Sequence, residues 1–444
     1  MTEHVFIDRI RTADLVARTG SVQKILPTYI EADGPNVPIG TLCHIEAVDS
    51  HSGAGVKRLL AEVVSVNVNS VILVPFDDRM RTFSGARVEA CPEIDRAPVG
   101  DGLLGRAVDA LGRPLDGKGR VAGASFAPLT PQATAPLERC SPNRVFETGV
   151  RAIDAFLTLG EGQRVGVFAA SGVGKTSLMT QLAKQGRADR CVICLVGERG
   201  REVEALWREG LSAEARAKTV LVAATSDQAA AMRVRAGDYA LALAEHWRSE
   251  GHHVLLLLDS VTRLAMAMRE TGLAAGEPPT LRAYTPSVFS AIPKLVERCG
   301  ALKSGGAITS IMTVLSETDD IDDPISEMLK SLLDGHIILS RGLAERGHFP
   351  AIDVPRSISR LSKDLMGAQH RADAQNGVAL LSTFDASRTL IESGVYVAGS
   401  SPEIDQAIAR RPALLQYLRQ ASTERMAFAS ATDTLKTLLQ AQRR

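Results

Sequence analysis

The sequence predicts an α/β fold with a buried parallel sheet at its centre, a small β-rich domain before it and helices after it. Three observations lead to this prediction. In residues 163–339, apolar runs rich in Val, Ile and Leu alternate with helical segments, which is typical of parallel strands covered on both faces. Residues 20–90 contain short apolar segments broken by Gly, Pro, Asn and Asp, without a helical period. After residue 363 the apolar residues return at helical spacing.

The composition sets limits on the class of protein. A chain of 444 residues is long enough for two to four domains. Lys and Arg together number 51, as do Asp and Glu, so no overall positive field favours nucleic acid or an anionic membrane. The sequence has neither an apolar run of the ~20 residues that span a bilayer nor the apolar segment of a secretory signal. Scattered cysteines fit a reducing compartment. We therefore predict a cytoplasmic protein without a nucleic-acid partner.

The first two segments are an N-terminal helix, residues 1–18, and a β domain, residues 19–94. Phe6, Ile10 and Ala13 would share one face of the helix, which either caps the next domain or docks a partner. In the β domain, the run VSVNVN at 64–69 alternates with period two. Several short strands at close spacing indicate a small barrel or sandwich.

The next two segments are the α/β domain, residues 95–362, and a helical domain, residues 363–444. A stretch rich in Gly and Pro opens the α/β domain, and strand-like runs such as RVGVF, CVICLVG and HVLLLLDS follow it. Cys191 and Cys194 form a C-x-x-C pair within one of these runs. On a strand their side chains would face opposite sides, so we expect buried thiols rather than a metal or redox site.

The stretch VFAASGVGKTSLM, residues 167–179, resembles a phosphate-binding loop between a strand and a helix. Gly172 and Gly174 would let consecutive backbone N–H groups converge on one phosphate at the helix N-terminus. Lys175 would reach the β- and γ-phosphates, and the Thr176 hydroxyl could ligate Mg²⁺. The pattern departs from G-x-x-x-x-G-K-[ST] because Ala169 replaces the first glycine. The predicted loop residues that bind nucleotide are Ala170, Ser171, Gly172, Val173, Gly174, Lys175, Thr176 and Ser177.

Two carboxylates end separate apolar runs. Asp259 ends VLLLLD and could hold Mg²⁺ through water, or serve as the N-cap of the next helix. Glu198 ends CLVGE and could orient the attacking water, or form a surface pair with Arg199 or Arg201. We include Arg199 in the predicted nucleotide-binding set.

Longer motifs resemble those of the type III export ATPases, which are related to the catalytic subunit of ATP synthase. These motifs are GERGREV, AATSDQ, the run from RVRAGDYALALAEHW to LLLLDSVTRLAMAMRE, AAGEPPT, DDIDDPISEMLKSLLDGHIILSR, GHFPAID and SISR. With LLGRAVDALGRPLDG and TGVRAIDAFLTLGEGQR upstream, the resemblance covers nearly the whole chain.

This resemblance implies a RecA-like P-loop ATPase core with an N-terminal β-barrel domain and a C-terminal helical domain. It implies that Glu198 is the catalytic glutamate and that Lys175 and Asp259 are the phosphate and Mg²⁺-linked groups. Arg360, in SISR, matches an arginine finger that acts on a neighbouring subunit. Phe349, in GHFPAID, matches the aromatic residue that stacks on adenine, and Tyr396, in VYVAGS, would close the other side of the base.

The function that the resemblance implies is hydrolysis of ATP with Mg²⁺ by a homohexamer that energises protein export, releasing chaperones and unfolding substrates. The implied partners are a stator-like regulator at residues 1–18, a central stalk protein, export chaperones, their cargo and the membrane export gate. The enzyme would lie in the cytoplasm at the inner face of the membrane. Flagellar and injectisome ATPases share these motifs, and we favour the flagellar system.

Four alternatives are weighed against this interpretation. A non-catalytic rotary subunit would lack Glu198, and the wording of the motifs lies closer to the export branch than to the synthase catalytic subunit. An RNA translocase would need a barrel with interleaved basic and aromatic residues, whereas this one offers only Tyr29, Phe76 and Phe83. A docking scaffold with incidental hydrolysis stays open. Thr285 and Leu264 differ from the family's usual proline and tyrosine, but neither replaces a catalytic group.

Overall fold

The structure, a computed structural model, describes residues 16–49, 56–77, 80–91, 96–131, 133–315 and 323–440. Most of the predicted N-terminal helix, residues 1–15, lies outside the described residues, and 16–18 are not helical. In the described part of the chain, no helix is both long enough and apolar enough to span a bilayer.

The N-terminal strands form a closed antiparallel barrel. Each strand pairs with two others in the cyclic order β1–β2–β5–β4–β3–β7, and the short β6 is added to β3. Closure leaves the six strands of this ring without a free edge. Its interior is apolar, with Ile45, Leu73 and Val88 fully buried. The strand bounds are β1 Thr19–Ile25, β2 Ile30–Ala32, β3 Leu42–Asp49, β4 Val56–Val66, β5 Val71–Pro75, β6 Met80–Arg81 and β7 Arg87–Ala90.

One predicted strand of the barrel has different bounds. The alternating run VSVNVN is not a single strand, because β4 ends at Val66 and the chain turns over residues 67–70, where the Asn67 N–H donates to the Ser70 carbonyl. Asn and Ser favour such turns, and here this local preference outweighs the period-two pattern.

A second, larger sheet forms the centre of the molecule. Its main path is β21–β20–β14–β19–β17–β15–β16–β9, and every neighbouring pair from β20 to β9 is parallel. The carboxyl ends of these parallel strands therefore meet at one edge of the sheet. The remaining strand bounds are β8 Arg96–Val99, β9 Ala107–Val108, β10 Ser125–Pro128, β11 Arg139–Cys140, β12 Val145–Phe146, β13 Leu159–Gly160, β14 Arg164–Ala169, β15 Arg190–Glu198, β16 Thr219–Thr225, β17 His253–Asp259, β18 Gly300–Leu302, β19 Ala307–Leu315, β20 Gly335–Ile338 and β21 Ile358–Ser359.

Helices cover both faces of this sheet. The α-helices are α1 Lys175–Gln185, α2 Gly200–Ala205, α3 Ala213–Ala217, α4 Ala230–Ser249, α5 Val261–Ala274, α6 Pro286–Glu297, α7 Pro324–Leu332, α8 Arg341–Glu345, α9 Ser362–Leu365, α10 Ala368–Glu392, α11 Pro402–Leu418 and α12 Phe428–Gln440. Helices α4 to α7 pack on one face and α1 with the C-terminal helices on the other. Cys194 and Cys191 are buried on these opposite faces, which confirms the prediction of two structural thiols.

The C-terminal helices α10, α11 and α12 complete the second hydrophobic face. Leu414 and Leu418 of α11 are buried, as their helical spacing predicts, and so is Leu435 of α12. Tyr417 packs edge-on against Phe156, their ring centroids 6.4 Å apart. These contacts join the helices directly to the layer that holds α1.

Candidate active site

The predicted phosphate-binding loop connects β14 to α1 at the carboxyl edge of the sheet. Gly172 has a φ of 79° and Gly174 a φ of 99°, a backbone region that favours glycine. Between them, Val173 is buried in the core beneath. The loop is therefore held from below by a side chain, while its backbone N–H groups at the start of α1 are in position to bind an anion.

The alanines that depart from the usual pattern fit their positions. Ala169 ends β14 and is buried, and Ala170 packs against the same apolar cluster. Neither has a positive φ, so the backbone at these positions does not require glycine. The methyl groups support the loop instead of obstructing it.

Three predicted site residues meet at this edge. The Lys175 ammonium donates to Asp259, and its Nζ lies 3.5 Å from Oε1 of Glu198. All three residues are buried, each exposing less than a tenth of its area. Buried charges are tolerated when they pair, and the parallel topology brings the ends of β15 and β17 together beside the loop.

The structure excludes the structural alternatives that were left open for the two carboxylates, and their roles with Mg²⁺ and water stay predictions. The N-cap of α5 is Ser260, whose hydroxyl accepts from the Arg263 N–H, so Asp259 is not the cap. Glu198 is 5% exposed and pairs with Arg263, whose Nη1 lies 3.2 Å from Oε2. It is therefore not part of a surface pair. Arg199 is largely exposed, and its ion pair among the described residues is with Glu202, at 4.0 Å.

A bulge at the end of β15 sets the direction of Glu198. The register with β16 shifts between Val196 and Glu198, and the intervening Gly197 has a φ of 69°. A bulge of this kind changes which way the following side chain points. The Gly197 carbonyl also accepts from Arg263, so one arginine holds both the bulge and the glutamate.

The surroundings of Glu198 alter its proton affinity. Burial, and next the nearby charge of Asp259, raise the pKa of Glu198 to about 7. Lys175 and Arg263 act in the opposite direction. Its Oε1 is buried and has no hydrogen-bond partner among the described residues. A carboxylate with a pKa close to neutral pH and an oxygen that accepts no hydrogen bond from the described residues is suited to accept a proton from water.

Sequence reasoning missed two members of this cluster, Arg263 and Thr313. The Thr313 hydroxyl donates to Oδ1 of Asp259 at 2.7 Å and so fixes that carboxylate. Both come from elements remote in sequence, Arg263 from the first turn of α5 and Thr313 from β19. Only the strand order could have placed them here.

Phe349 lies beside the loop, as predicted for an aromatic residue that stacks on a base. A side-chain carbon at Gly174 would come within 3.4 Å of its ring, and Phe349 is 46% exposed. Phe349 is therefore accessible next to the phosphate-binding site.

Comparisons with known proteins match this architecture along the chain. Residues 149–359 match the model of the ATP synthase alpha/beta family, nucleotide-binding domain, and residues 366–437 match that of the T3SS EscN ATPase C-terminal domain. The chain is 45% identical to the flagellum-specific ATP synthase of Bacillus subtilis over 424 residues, 96% of either chain. It is 42% identical to a type 3 secretion system ATPase of Sinorhizobium fredii, covering 91% of this chain and 88% of that one. This chain belongs to the flagellar and type III secretion ATPases.

Solved structures of this ATPase family have the same fold. The assembled ATPase EscN of enteropathogenic Escherichia coli superposes with a TM-score of 0.88 at 38% identity, covering 95% of this chain and 100% of that one. EscN in complex with its central stalk EscO gives a TM-score of 0.85 at 37% identity, with the same coverage. The predicted fold class and the predicted ATPase activity are thereby confirmed.

Arg360 of this ATPase lies far from the rest of the predicted site. It follows β21, where Ser359 pairs with Gly335 at the start of β20, and Gly335 pairs with Val165 at the start of β14. Arg360 is thus at the amino edge of the sheet, whereas the loop is at the carboxyl edge. The six residues of β14 separate the two by about 20 Å, at about 3.3 Å per residue.

Tyr396 is, like Arg199 and Arg360, a predicted residue that does not join the cluster. Its hydroxyl lies 3.0 Å from the Ser401 carbonyl and 2.9 Å from Oδ1 of Asp405, so its described contacts are with the segment that enters α11. Its suggested contact with a base stays a prediction.

Proposed function

We propose that this ATPase works as a homohexamer that hydrolyses ATP with Mg²⁺ at the interfaces between its subunits and uses the reaction to energise protein export. The observation that carries this proposal is the position of Arg360. The arginine is exposed, and its guanidinium donates to the Lys330 and Ser331 carbonyls at the end of α7. From the amino edge of the sheet it cannot reach its own phosphate-binding loop. It can serve a site only if that site belongs to a neighbouring subunit.

Such a contact joins two different surfaces of identical subunits. A head-to-tail interface of this kind closes into a ring when the rotation per subunit fits. Within the interface, Arg360 would stabilise charge on the phosphoryl group in the transition state. The related ATPase EscN has been solved in its assembled form and in complex with its central stalk EscO. This supports a ring for the present ATPase as well.

The residues at the carboxyl edge fit the substrate. Glu198 would orient and polarise the attacking water, and Lys175 would turn from Asp259 to the β- and γ-phosphates. Ser171, in the loop, and Thr176 and Ser177, at the start of α1, are exposed, so their hydroxyl groups would be accessible to the phosphates. Phe349 would stack on the adenine.

A magnesium ion also fits these residues. The Thr176 hydroxyl and the Asp259 carboxylate are hard oxygen donors, which Mg²⁺ prefers, often through water. When bound, the ion would neutralise charge on the phosphates.

We further propose flagellar export as the process served, because the flagellar relative from Bacillus subtilis is somewhat more similar than the secretion ATPase from Sinorhizobium fredii. In this role the ring would release chaperones from cargo and unfold it, with residues 1–18 binding a stator-like regulator and the central pore binding a stalk. It would act in the cytoplasm, touching the membrane export gate from its inner face, and bind no nucleic acid.

The first experiment measures the ATPase rate per subunit against protein concentration for the wild type, Glu198→Gln and Arg360→Ala. We expect the wild-type rate per subunit to rise with concentration and both variants to be nearly inactive. A rate independent of concentration, together with a harmless Arg360→Ala, would refute the shared site. Export that persists in a Glu198→Gln strain would instead favour a docking scaffold.

A further inference from the structure

Gln420, just after α11, is a buried polar residue outside the cluster described above. It is 4% exposed, and its hydrogen bonds join three separate segments. Its side-chain Oε1 accepts from the Arg151 N–H at 2.8 Å, and its Nε2 donates to the carbonyls of Gly149 at 2.7 Å and Glu424 at 2.9 Å. A buried amide with this many partners has one orientation, because losing any of these bonds leaves a polar atom unsatisfied.

The main chain of Gln420 holds the predicted base-stacking residue. Its N–H donates to the carbonyl of Phe349 at 2.9 Å. The Phe349 ring, in turn, lies beside Gly174 of the phosphate-binding loop. The side chain of Gln420 therefore fixes a segment whose backbone sets the position of Phe349.

The segment that the Gln420 side chain bonds, residues 149–151, is itself held by buried hydrogen bonds. Asp154 is 1% exposed and accepts from the N–H and the hydroxyl of Thr148 and from the N–H of Gly149. Gly149 has a φ of 77°, and a side-chain carbon there would lie 3.0 Å from Gln185. This is a close approach of backbone to helix α1 that only glycine allows.

The segment after α11, which contains Gln420, also bonds the C-terminal end of α1. Gln185, the last residue of that helix, donates to the carbonyls of Ser422 at 3.1 Å and Glu424 at 2.9 Å. Residues 419–427, which connect α11 to α12, thus contact the C-terminus of the phosphate-binding helix α1. They also contact Phe349, which lies near the N-terminus of that helix. A displacement of the C-terminal helices would be transmitted to Phe349 through Gln420.

We propose that Gln420 is a positioning residue for the nucleotide: it holds the Phe349 ring at the height above the loop where adenine stacks, and so couples the C-terminal helices to the affinity for ATP. This inference rests on the proposed function, specifically on stacking of the base on Phe349. Gln420 itself touches neither the phosphates nor the water-activating group.

The test compares two ligands that differ in the base. Inorganic tripolyphosphate has the phosphate chain of ATP without adenine, so it reports on the loop alone. Dissociation constants for ATP and tripolyphosphate, with kcat and KM, are measured for the wild type, Gln420→Met, Gln420→Ala and Arg425→Ala. Methionine keeps the volume of the side chain but removes its hydrogen bonds. Arg425 lies in the same loop and is half-exposed, and among the described residues its side chain bonds Glu147, at 3.2 Å, so its variant is the matched control.

We expect Gln420→Met and Gln420→Ala to weaken ATP binding by about five- to tenfold, a share of the effect of losing a base–aromatic stack. Tripolyphosphate binding should stay at the wild-type value, with KM raised and kcat nearly unchanged. Arg425→Ala should alter neither affinity. Equal loss of both ligands in Gln420→Met would show a general structural role and overturn the proposal, as would unchanged ATP binding.

Phe349→Ala separates this inference from the proposed function. If Phe349→Ala weakens ATP binding and Gln420→Met does not, only the role of Gln420 fails. If Phe349→Ala leaves ATP binding unchanged, the base does not stack there, and the proposed placement of the nucleotide fails first. In the double variant, Gln420→Met should add little to the loss caused by Phe349→Ala, because both act on one contact.

Discussion

Glu198 is buried between an acidic group, Asp259, which raises its pKa, and two basic groups, Lys175 and Arg263, which lower it. Its pKa of about 7 lies well above that of an exposed glutamate because the ionised form loses hydration and faces Asp259. Only the ionised form can accept a proton from water. The activity of the free enzyme should therefore depend on pH close to neutrality.

We predict that kcat/KM rises with pH until about 7 and is constant above it, falling about tenfold per pH unit below that midpoint. The measurement is a pH profile of kcat/KM for the wild type and Arg263→Met. Arg263 lowers the pKa of Glu198, so its removal should move the midpoint upward. ATP itself also titrates, and it does so equally in assays of both proteins. If the wild type and Arg263→Met have the same midpoint in their pH profiles, the pH dependence comes from the substrate and not from Glu198.

At the residue scale, the sequence predicted most members of the cluster but not the residues that hold them in place. Lys175, Asp259 and Glu198 each follow from a local motif: a glycine-rich turn and two apolar runs that end in an acid. Arg263 and Thr313 belong to no such motif, and their roles depend on the order of the strands. Gln420 was missed for the same reason, because two of its partners, Gly149 and Arg151, are more than 260 residues away in the chain.

At the scale of elements, the bulge at Gly197 determines where strand β15 delivers its last side chain. Gly197→Ala would place a methyl group 3.1 Å from Arg263 at a φ of 69°, which costs about 1–2 kcal/mol for a residue other than glycine. We predict a loss of kcat of at least about tenfold, with ATP binding nearly preserved, since misplacing a catalytic group mainly affects the chemical step.

The matched control for this prediction is Gly200→Ala. Gly200 begins α2, where an added carbon would meet no atom within 4 Å and φ is not positive. It should behave like the wild type in both kcat and ATP affinity. Equal activity of the two variants would show that the bulge does not orient Glu198.

The elements themselves were predictable to different degrees. The buried strands β14, β15, β16, β17 and β19 were recognised because continuous apolar runs have few alternatives. The barrel was less well predicted: VSVNVN has strand alternation, but its Asn residues lie in the turn after β4. Barrel closure depends on pairings such as β1 with β7, which bring together residues far apart in sequence.

At the scale of the whole molecule, a site shared between subunits can be tested by mixing two inactive proteins. Glu198→Gln has an intact Arg360, and Arg360→Ala has an intact Glu198. In a mixed ring made from equal amounts, about one interface in four should combine the two intact residues, by random assembly of a head-to-tail ring.

We therefore predict that the mixture recovers up to about a quarter of the wild-type rate per subunit, for interfaces that act independently. Each variant alone stays nearly inactive at the same total concentration. The control is a mixture of Glu198→Gln with the double variant Glu198→Gln/Arg360→Ala, which has no intact interface. If the first mixture recovers no more than this control, although subunit exchange is demonstrated, Arg360 does not act across an interface.

The placement of the loop and Arg360 on opposite edges of one sheet has a further consequence for assembly. With Arg360 acting as proposed, an open, linear oligomer always has a nucleotide site without an arginine finger at one end. At its other end, it has an Arg360 that contacts no site. Closing the oligomer adds a working site without adding a subunit. The sheet also gives the ring a sense of direction, since each subunit acts on the neighbour on one side and is acted upon from the other.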